Sequence, residues 1–488
     1  YMFSPKELAP IEDQGVIFAI LDTPANSTLE YTSAAAKAAN ESFFGVEETN
    51  FSFQITYPSG GFSGAVLKPW DQRERSVFEI KPEIDQGLYS IPSVSLFSRL
   101  PPALPGGGNF PVEFVIASTA EPAEILGYAQ QIMAKGMERG ALQFAFLDTK
   151  IDQPFTEVII DREKGASMGL SMQSIGTDLA SMLGGNYVNR FNIEGYSYKV
   201  IPQVERIGRL NPSQLEDVYI SGPSNSVIPL SSVATLEQSV QPRSLLRMQQ
   251  LNAVTIQGGP ARALGLTLAT LEDIAKETLP EGYRVDYLGE SRQLKNPGVP
   301  FWLTMVLASV LIYLVLAAQF NSYRDPLVIL LGSAPLAFFG ASIFTFLKMD
   351  PGTGIPYWTD GWTTSVNIYT QVGLITLIGL VAKNGILIVE FANVLQREGR
   401  SKVEAVREAS CIRLRPVLMT TAATVLGHFP LVLVTGPGAA ARNSIGLVVV
   451  TGMALGTLFT LLVIPTIYTL IAKSHRGVDM RIESSQVL

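Results

Sequence analysis

Five long apolar stretches in the C-terminal part of this chain limit the folds that it can adopt. They cover residues 300–320, 326–347, 369–395, 416–435 and 443–472. Each provides roughly the 20 residues that an α-helix needs to cross the hydrocarbon core of a bilayer. Because lipid cannot satisfy free backbone groups, a spanning stretch folds as a helix. We therefore predict a transmembrane domain of five helices over 297–473 and a cytoplasmic tail at 474–488.

The region before these stretches has the pattern of a water-soluble α/β protein. Within residues 11–110, GVIFAILD (15–22) indicates a buried strand. NSTLE opens a predicted helix at 26–44 with a capping-box pattern. Further strands are predicted at 50–58, 64–70 and 93–99.

A second strand and helix cycle of similar length covers residues 111–171 and 243–296. The stretch 172–242 interrupts it, and turn-forming clusters such as LGGN and SGPSNS are typical of an inserted subdomain. Two βαβ-type units predict a duplicated split-βαβ, or ferredoxin-like, architecture. The predicted fold class is therefore α+β with an inserted subdomain, followed by an all-α membrane bundle.

Loop charges predict the orientation of the bundle. The segment between the third and fourth stretches is rich in basic residues, namely Arg397, Arg400, Lys402, Arg407, Arg413 and Arg415. Cytoplasmic loops carry the excess of Lys and Arg, so residues 11–296 are expected in the periplasm of a Gram-negative cell, outside the inner membrane. Residues 1–10 read as the end of a preceding transmembrane helix and a linker. We expect the chain to be the C-terminal piece of a longer polypeptide.

The overall composition excludes some classes of function. The chain has 36 Lys and Arg against 43 Asp and Glu, a net charge of −7, and this mild acidity provides no basic footprint for nucleic acid. Cys411 is the one cysteine, which excludes an internal disulfide framework. No P-loop pattern occurs, so ATP hydrolysis by this chain is not expected as an energy source.

Lys383 lies in the middle of the third apolar stretch, TQVGLITLIGLVAKNGILIVEFANVL. A lysine at mid-membrane costs roughly 2.5–3.5 kcal/mol on insertion scales unless a partner or water compensates it. Apart from His428, the only other ionisable residue in the predicted spans is Glu390, and seven residues place it about 10 Å along the axis. Lys383 therefore belongs either to a structural salt bridge or to an ion or proton pathway. Its partner is expected on a helix absent from this chain.

Several ordered motifs resemble the resistance–nodulation–division (RND) family of efflux transporters, in particular the branch that exports hydrophobic and amphiphilic compounds. They are MFSPKELAPIEDQG (2–15), LGGNYVNRF (183–191), LVLAAQFNSYRDPL (314–327), GLVAKNGILIVEFAN (379–393) and RLRPVLMTTAATVLG (413–427). The resemblance covers nearly the whole chain. It implies that the two βαβ units are periplasmic porter subdomains and that 172–242 is part of a docking subdomain.

The resemblance also implies a proton relay. In RND transporters, intramembrane aspartates of the N-terminal half take up and release protons, and Lys383 would be the cation whose pairing with them alternates. Arg413 and Thr420 match further relay positions, with Asn384 in support. From the residues alone, Arg413 could equally anchor its helix at the interface. Thr420, with Thr421 and Thr424, could make ordinary helix–helix hydrogen bonds, and Asn384 and Glu390 could only orient their neighbours.

Aromatic residues next to a glycine-rich segment indicate a substrate path. FSFQITYPSGGFSG (51–64) places them beside a loop that we expect to be flexible. Aromatic faces contact many shapes without demanding hydrogen bonds, which suits varied amphiphiles. The family has a mobile loop between two drug pockets at this place, so Phe53, Tyr57 and Phe62 are candidate substrate contacts. Core aromatics beside a turn are the alternative.

The predicted function is efflux of amphiphilic drugs and toxic compounds, driven by the proton motive force. The chain would be a secondary active drug:proton antiporter rather than an enzyme, and would use no cofactor. The implied partners are two further copies in a homotrimer, a periplasmic membrane-fusion adaptor, an outer-membrane channel, an N-terminal half with transmembrane Asp residues, and membrane lipid. Export of metal ions or lipids, and a non-transporting scaffold or receptor, remain as alternatives.

Overall fold

The computed structural model describes residues 6–297, 301–347 and 366–472. Thr149–Leu245 forms one compact unit, and the described residues before and after it form the other. The predicted tail at 474–488 and the first five residues of the predicted linker lie outside the described residues.

The first part of the soluble region is a four-stranded sheet covered by two helices. Its elements are β1 (Val16–Asp22), α1 (Leu29–Phe44), β2 (Thr49–Tyr57), β3 (Gly60–Leu67), α2 (Val77–Tyr89) and β4 (Ser95–Arg99). The strands are antiparallel in the order β2-β3-β1-β4. Ile17, Ala19 and Leu21 alternate along β1 and belong to a buried core that includes Ala36 of α1 and Ile80 of α2. Within the described residues, the helices that pack on this sheet are α1 and α2, both on the face of this core.

Two features of this sheet differ from the sequence prediction. Helix α2 was not predicted, because Pro82 interrupts its apolar pattern, although Ser76 and Glu79 form a capping box at its start. The glycine-rich segment expected to be a flexible loop is mostly strand. Gly60 and Gly61 belong to β3 and pair with β2, so that the turn is short.

The chain continues through β5 (Val112–Ser118), α3 (Pro122–Glu138) and β6 (Leu142–Leu147) into the inserted unit. The elements of this unit are β7 (Ile151–Ile160), α4 (Arg162–Ser167), α5 (Met172–Leu183), β8 (Asn189–Ile193), β9 (Tyr196–Val200), β10 (Tyr219–Ser221), β11 (Val227–Pro229) and β12 (Ala234–Pro242). The unit begins at Thr149 rather than at the predicted 172. The reason is that β7 pairs with β12 inside the unit, not with the sheet that contains β5 and β6.

After the insertion the chain returns to that sheet. It forms β13 (Leu246–Met248), β14 (Leu251–Pro260), α6 (Leu264–Thr278), β15 (Arg284–Tyr287) and α7 (Gly289–Lys295). Strand β14 pairs with β5, β6 and β13, and β15 pairs with the other edge of β5. The order β6-β14-β5-β15 repeats the order of the first sheet. Phe114, Ile125 and Leu268 lie in its buried core, between the sheet and α3 and α6.

Five helices among the described residues are long and apolar enough to cross a membrane. They are α8 (Phe301–Phe320), α9 (Arg324–Leu347), α10 (Ile368–Arg397), α11 (Lys402–Leu433) and α12 (Ala439–Ile471). Helix α11 begins at Lys402 rather than at the predicted 416, so most of the predicted basic loop is helical. Ser401 and Glu404 cap its start, and Ala405 and Ala409 pack into the bundle.

Glycines allow α12 to approach its neighbours closely. A Cβ atom on Gly456 would lie 3.0 Å from the Cα atom of Ala337 on α9, and one on Gly452 would collide with Leu377 on α10. Since a larger residue would push the backbones apart, these positions set the spacing of α9, α10 and α12. That spacing fixes which side chains of α10 are buried and which remain exposed.

Candidate functional site

One face of α10 is exposed along most of the helix and carries the predicted lysine. Its residues recur at intervals of three, four or seven, namely Val372, Thr376, Gly379, Lys383, Glu390 and Val394. Such spacing places them in one stripe. Lys383 makes no ion pair with a described residue, and this includes Glu390. The cost of an unpaired lysine at membrane depth is high in lipid, and on this face no described residue offsets it.

The residue next to Lys383 points into the bundle. Asn384 is buried, and its Nδ2 donates to Thr457 Oγ1 of α12 at 2.9 Å and to Thr421 Oγ1 of α11 at 3.3 Å. The two threonine hydroxyls lie 3.4 Å apart. We call Asn384, Thr421 and Thr457 the asparagine cluster. It joins three helices within one residue of Lys383 through neutral groups alone.

The other two predicted relay residues lie on α11. The Arg413 guanidinium is 4.6 Å from the ring centroid of Phe391 on α10, and its Nε is buried without a hydrogen-bond partner among the described residues. Thr420 Oγ1 donates to Val417 O of its own helix at 3.1 Å. Neither residue is bonded to Lys383 or to the other, so their relay roles stay predictions. The predicted span implied that Arg413 begins this helix. In the structure, Arg413 instead lies well inside α11.

Sequence reasoning named Thr421 only as a possible helix–helix hydrogen bond and did not single out Thr457. Thr421 and Thr457, rather than Thr420, bond to Asn384. The sequence signal was present, because Thr420, Thr421 and Thr424 stand close together on one helix. The pattern alone does not say which hydroxyl faces α10.

A second buried polar cluster was missed because Asp325 precedes the predicted span by one residue. The structure places Asp325 in the first turn of α9 with 1% of its surface exposed, so Glu390 and His428 are not the only other ionisable side chains in the bundle. Asn393 Nδ2 donates to Asp325 Oδ2 at 3.0 Å. Tyr468 OH donates to Asn393 Oδ1, and Gln396 Nε2 donates to Tyr468 OH at 2.7 Å. We call these four residues the aspartate cluster; it joins α9, α10 and α12.

Two of the three predicted substrate contacts lie together on the face of the first sheet that points away from α1 and α2. The ring centroids of Phe53 and Phe62 are 5.8 Å apart, and Phe18 lies 6.0 and 5.2 Å from them. Gly64 makes room for these rings, because a Cβ atom there would lie 2.8 Å from Phe53. Tyr57 stands at the end of β2 and is exposed rather than packed with the cluster. Their contact with substrate stays a prediction.

A cavity of about 400 Å³ lies elsewhere in the soluble region. Its walls include Phe78, Phe110, Phe144 and Glu290, and none of the three predicted substrate contacts. Burial, and then the nearby Glu113 carboxylate, raise the pKa of Glu290 to about 7. Burial also raises the pKa of Glu113. Glu290 therefore places a carboxyl group of raised pKa in a wall that also contains Lys81, Arg99 and Arg262.

The repeated α/β sheets, the inserted unit and a five-helix bundle with an intramembrane lysine define a multi-pass membrane protein of the RND transporter class. Residues 1–472 match the model of the AcrB/AcrD/AcrF family, and the chain belongs to that family. The resemblance predicted from the motifs is thereby confirmed.

Curated relatives agree with this assignment. The chain is 37% identical to an uncharacterised transporter of Haemophilus influenzae, over 96% of this chain and 45% of that protein. It is 32% identical to the toluene efflux pump membrane transporter TtgB of Pseudomonas putida, with the same coverage. It is 28% identical to the multidrug export protein AcrF of Escherichia coli, over 97% of this chain and 46% of that protein. The chain thus spans a little under half the length of these relatives.

Proposed function

We propose that this chain is part of a proton-driven exporter of hydrophobic and amphiphilic compounds in the inner membrane, with residues 11–296 in the periplasm. The observation that carries the proposal is Lys383, a cation exposed on a bilayer-spanning helix with no described counter-ion. The names of relatives such as TtgB and AcrF, which refer to toluene and to multiple drugs, support the substrate class.

In the proposed mechanism, Lys383 Nζ pairs with a carboxylate supplied by another part of the transporter. A nearby positive charge favours the ionised carboxylate. A proton that arrives from the periplasm neutralises the carboxylate and breaks the pair, and release of that proton to the cytoplasm restores it. Because the asparagine cluster ties α10 to α11 and α12, a shift of α10 would move all three helices together. Arg413 and Thr420 on α11 are the proposed relay neighbours.

The free energies of lysine burial and of proton movement are compatible with this cycle. An unpaired lysine at mid-membrane costs roughly 2.5–3.5 kcal/mol on insertion scales. One elementary charge that crosses a potential of 100 mV provides about 2.3 kcal/mol. The two free energies are of similar size, so a proton gradient is large enough to drive the alternation between paired and unpaired lysine.

The soluble region fits the proposed assembly. The element order β1-α1-β2-β3-α2-β4, repeated as β5-α3-β6-β14-α6-β15, supports two split-βαβ porter subdomains. Thr149–Leu245 would be the docking subdomain of a homotrimer that works with a periplasmic adaptor and an outer-membrane channel. The Phe18, Phe53 and Phe62 rings would offer an adaptable apolar surface to substrate.

The test is Lys383→Ala in the full-length transporter, compared with Leu311→Ala at an exposed apolar position on α8. We expect Lys383→Ala to abolish efflux of a lipophilic dye while expression and trimer assembly stay normal. We expect the Leu311 variant and wild type to pump, and an uncoupler to stop both.

Normal efflux in Lys383→Ala would eliminate the proton-coupling role of this residue. Efflux that survives the uncoupler would contradict a proton-driven mechanism altogether. A wild-type protein that moves no dye but lowers cellular metal would favour the metal-export alternative. A wild-type protein that moves neither would favour the scaffold.

A further inference from the structure

The aspartate cluster contains a carboxyl group that the proposed Lys383 mechanism does not use. Asp325 is almost completely buried, and only its Oδ2 has a hydrogen-bond donor, Asn393 Nδ2. Its Oδ1 is buried and has no hydrogen-bond partner among the described residues. No basic group of the described residues lies within ion-pair distance of it. A carboxyl group in the membrane part with one oxygen unpartnered is unusual, because buried charges are normally paired.

The described groups around Asp325 do not supply a positive charge that could pair with its carboxylate. Three helices pack against α9, namely α8, α10 and α12. From α12 the titratable group is Tyr468, whose hydroxyl donates to Asn393. On α8 it is Tyr313, whose hydroxyl donates to Tyr323 O. Charged Glu390 and Arg397 of α10 and Arg324 of α9 are all exposed.

The cost of desolvation determines whether the buried Asp325 carboxyl group is ionised or neutral. A buried ionised carboxylate without a counter-ion costs several kcal/mol, which the N-terminus of α9 offsets only in part, by up to about 2 kcal/mol. A proton on the unpartnered Oδ1 would therefore neutralise the site without breaking its existing hydrogen bond.

We propose that Asp325 is a second proton-binding group of the transport cycle, at the end of the bundle that the proposed orientation makes cytoplasmic. This inference rests on the proposed proton-driven function. In one state Oδ1 carries the proton; in the other the O–H bond breaks, the proton passes to water on the cytoplasmic side, and the carboxylate remains.

The effect on Lys383 is indirect. Asn393 lies ten residues after Lys383 on α10, roughly 15 Å along the helix axis. A charged Asp325 attracts the Asn393 amide more strongly than a neutral one does, since hydrogen bonds to ionised groups are about twice as strong. Asp325 is therefore a positioning residue that holds α10 differently in its two protonation states.

The experiment uses the full-length transporter, reconstituted in liposomes, and two readouts. The first is the infrared band of protonated carboxyl groups in wild type with isotope-labelled aspartate, measured as the pH on the cytoplasmic face changes and compared with Asp325→Asn. The second is the rate of dye transport against that pH at a fixed driving force. Gln396→Met is the matched control, because it breaks the bond to Tyr468 in the same cluster and leaves the carboxyl group in place.

We expect a labelled carboxyl band in wild type that rises and falls with pH and is missing in Asp325→Asn. We expect transport by Asp325→Asn to fall by about fivefold or more, the low end of coupling between separate sites, and to lose the pH step that wild type and Gln396→Met retain. A band that is the same in Asp325→Asn and wild type would overturn the proposal. So would an unchanged transport profile.

Failure of this inference is distinguishable from failure of the proposed function. If Lys383→Ala is inactive while Asp325→Asn behaves as wild type, proton-driven efflux stands and Asp325 is only structural. If transport survives an uncoupler, the proposed function fails. The infrared band still reports whether Asp325 binds a proton, because that measurement does not depend on transport.

Discussion

Replacement of Asn384 by Ala should destabilise the helix bundle by about 2 kcal/mol. The side chain makes two hydrogen bonds between helices, to Thr457 and Thr421. Measured bonds of this kind in a membrane protein average about 0.6 kcal/mol, so the two together account for about 1.2 kcal/mol. The remainder comes from the void that the amide leaves at a position with only 2% of its surface exposed.

The assay is unfolding of the full-length protein in mixed micelles as the fraction of denaturing detergent rises. Thr466→Ala is the control, because Thr466 is an exposed threonine of α12 whose hydroxyl, among the described residues, bonds only to Leu462 O of its own helix. Its free energy of unfolding should change by no more than about 0.5 kcal/mol. A double-mutant cycle between Asn384→Ala and Thr457→Val should give a coupling of about 0.6 kcal/mol.

Two results would refute this reasoning. Equal destabilisation by Asn384→Ala and Thr466→Ala would mean that burial between the helices is irrelevant. Zero coupling in the cycle would mean that the 2.9 Å contact between Asn384 and Thr457 contributes nothing to stability.

Two further predictions concern the soluble region. Asp13→Asn should destabilise the first sheet by about 3–5 kcal/mol, because Asp13 accepts from buried Arg73 and from Val77 N, each at 2.7 Å, and the variant leaves the arginine charge uncompensated. Faster hydrogen exchange in β1 and α2 would reveal this, and unchanged exchange would contradict it. Glu290 has a pKa of about 7 in the fold against 4.5 as its ordinary value, so the folded state binds its proton more tightly and stability should fall as pH rises between these values. Glu290→Gln should flatten that fall in exchange rates corrected for intrinsic pH effects, and an equally steep fall in the variant would exclude Glu290 as its source.

The membrane helices could be predicted from sequence because lipid cannot satisfy free backbone groups, so an apolar stretch that spans it folds as a helix. Their ends could not, because helix ends depend on local caps and packing rather than on hydropathy. Ser401 caps α11 well before its apolar part begins, and Ala405 and Ala409 are buried on a segment that is basic overall. Helix α2 was also missed. Its capping box indicates a helix start, but Pro82 interrupts the apolar pattern that follows.

The candidate site could be predicted only in part. Lys383 could be identified from the sequence because a charged side chain in an apolar, membrane-spanning stretch is energetically costly. The aspartate cluster could not, because Asp325 and Asn393 stand 68 positions apart and their contact depends on how α9 and α10 pack. Whether Thr420 or Thr421 bonds to Asn384 depends on how α11 is rotated about its own axis. Sequence periodicity does not distinguish between two neighbouring residues in this respect.

If the transporter is proton-driven, as proposed, the asparagine cluster has a consequence for how the bundle responds to the membrane potential. An electric field exerts force on net charge, and Asn384, Thr421 and Thr457 have none. In the proposed cycle the hydrogen bonds of this cluster would therefore carry no net charge on which the potential acts, whereas the Lys383 ammonium on the same helix would. A force on Lys383 would then reach α11 and α12 through hydrogen bonds that the potential itself does not weaken.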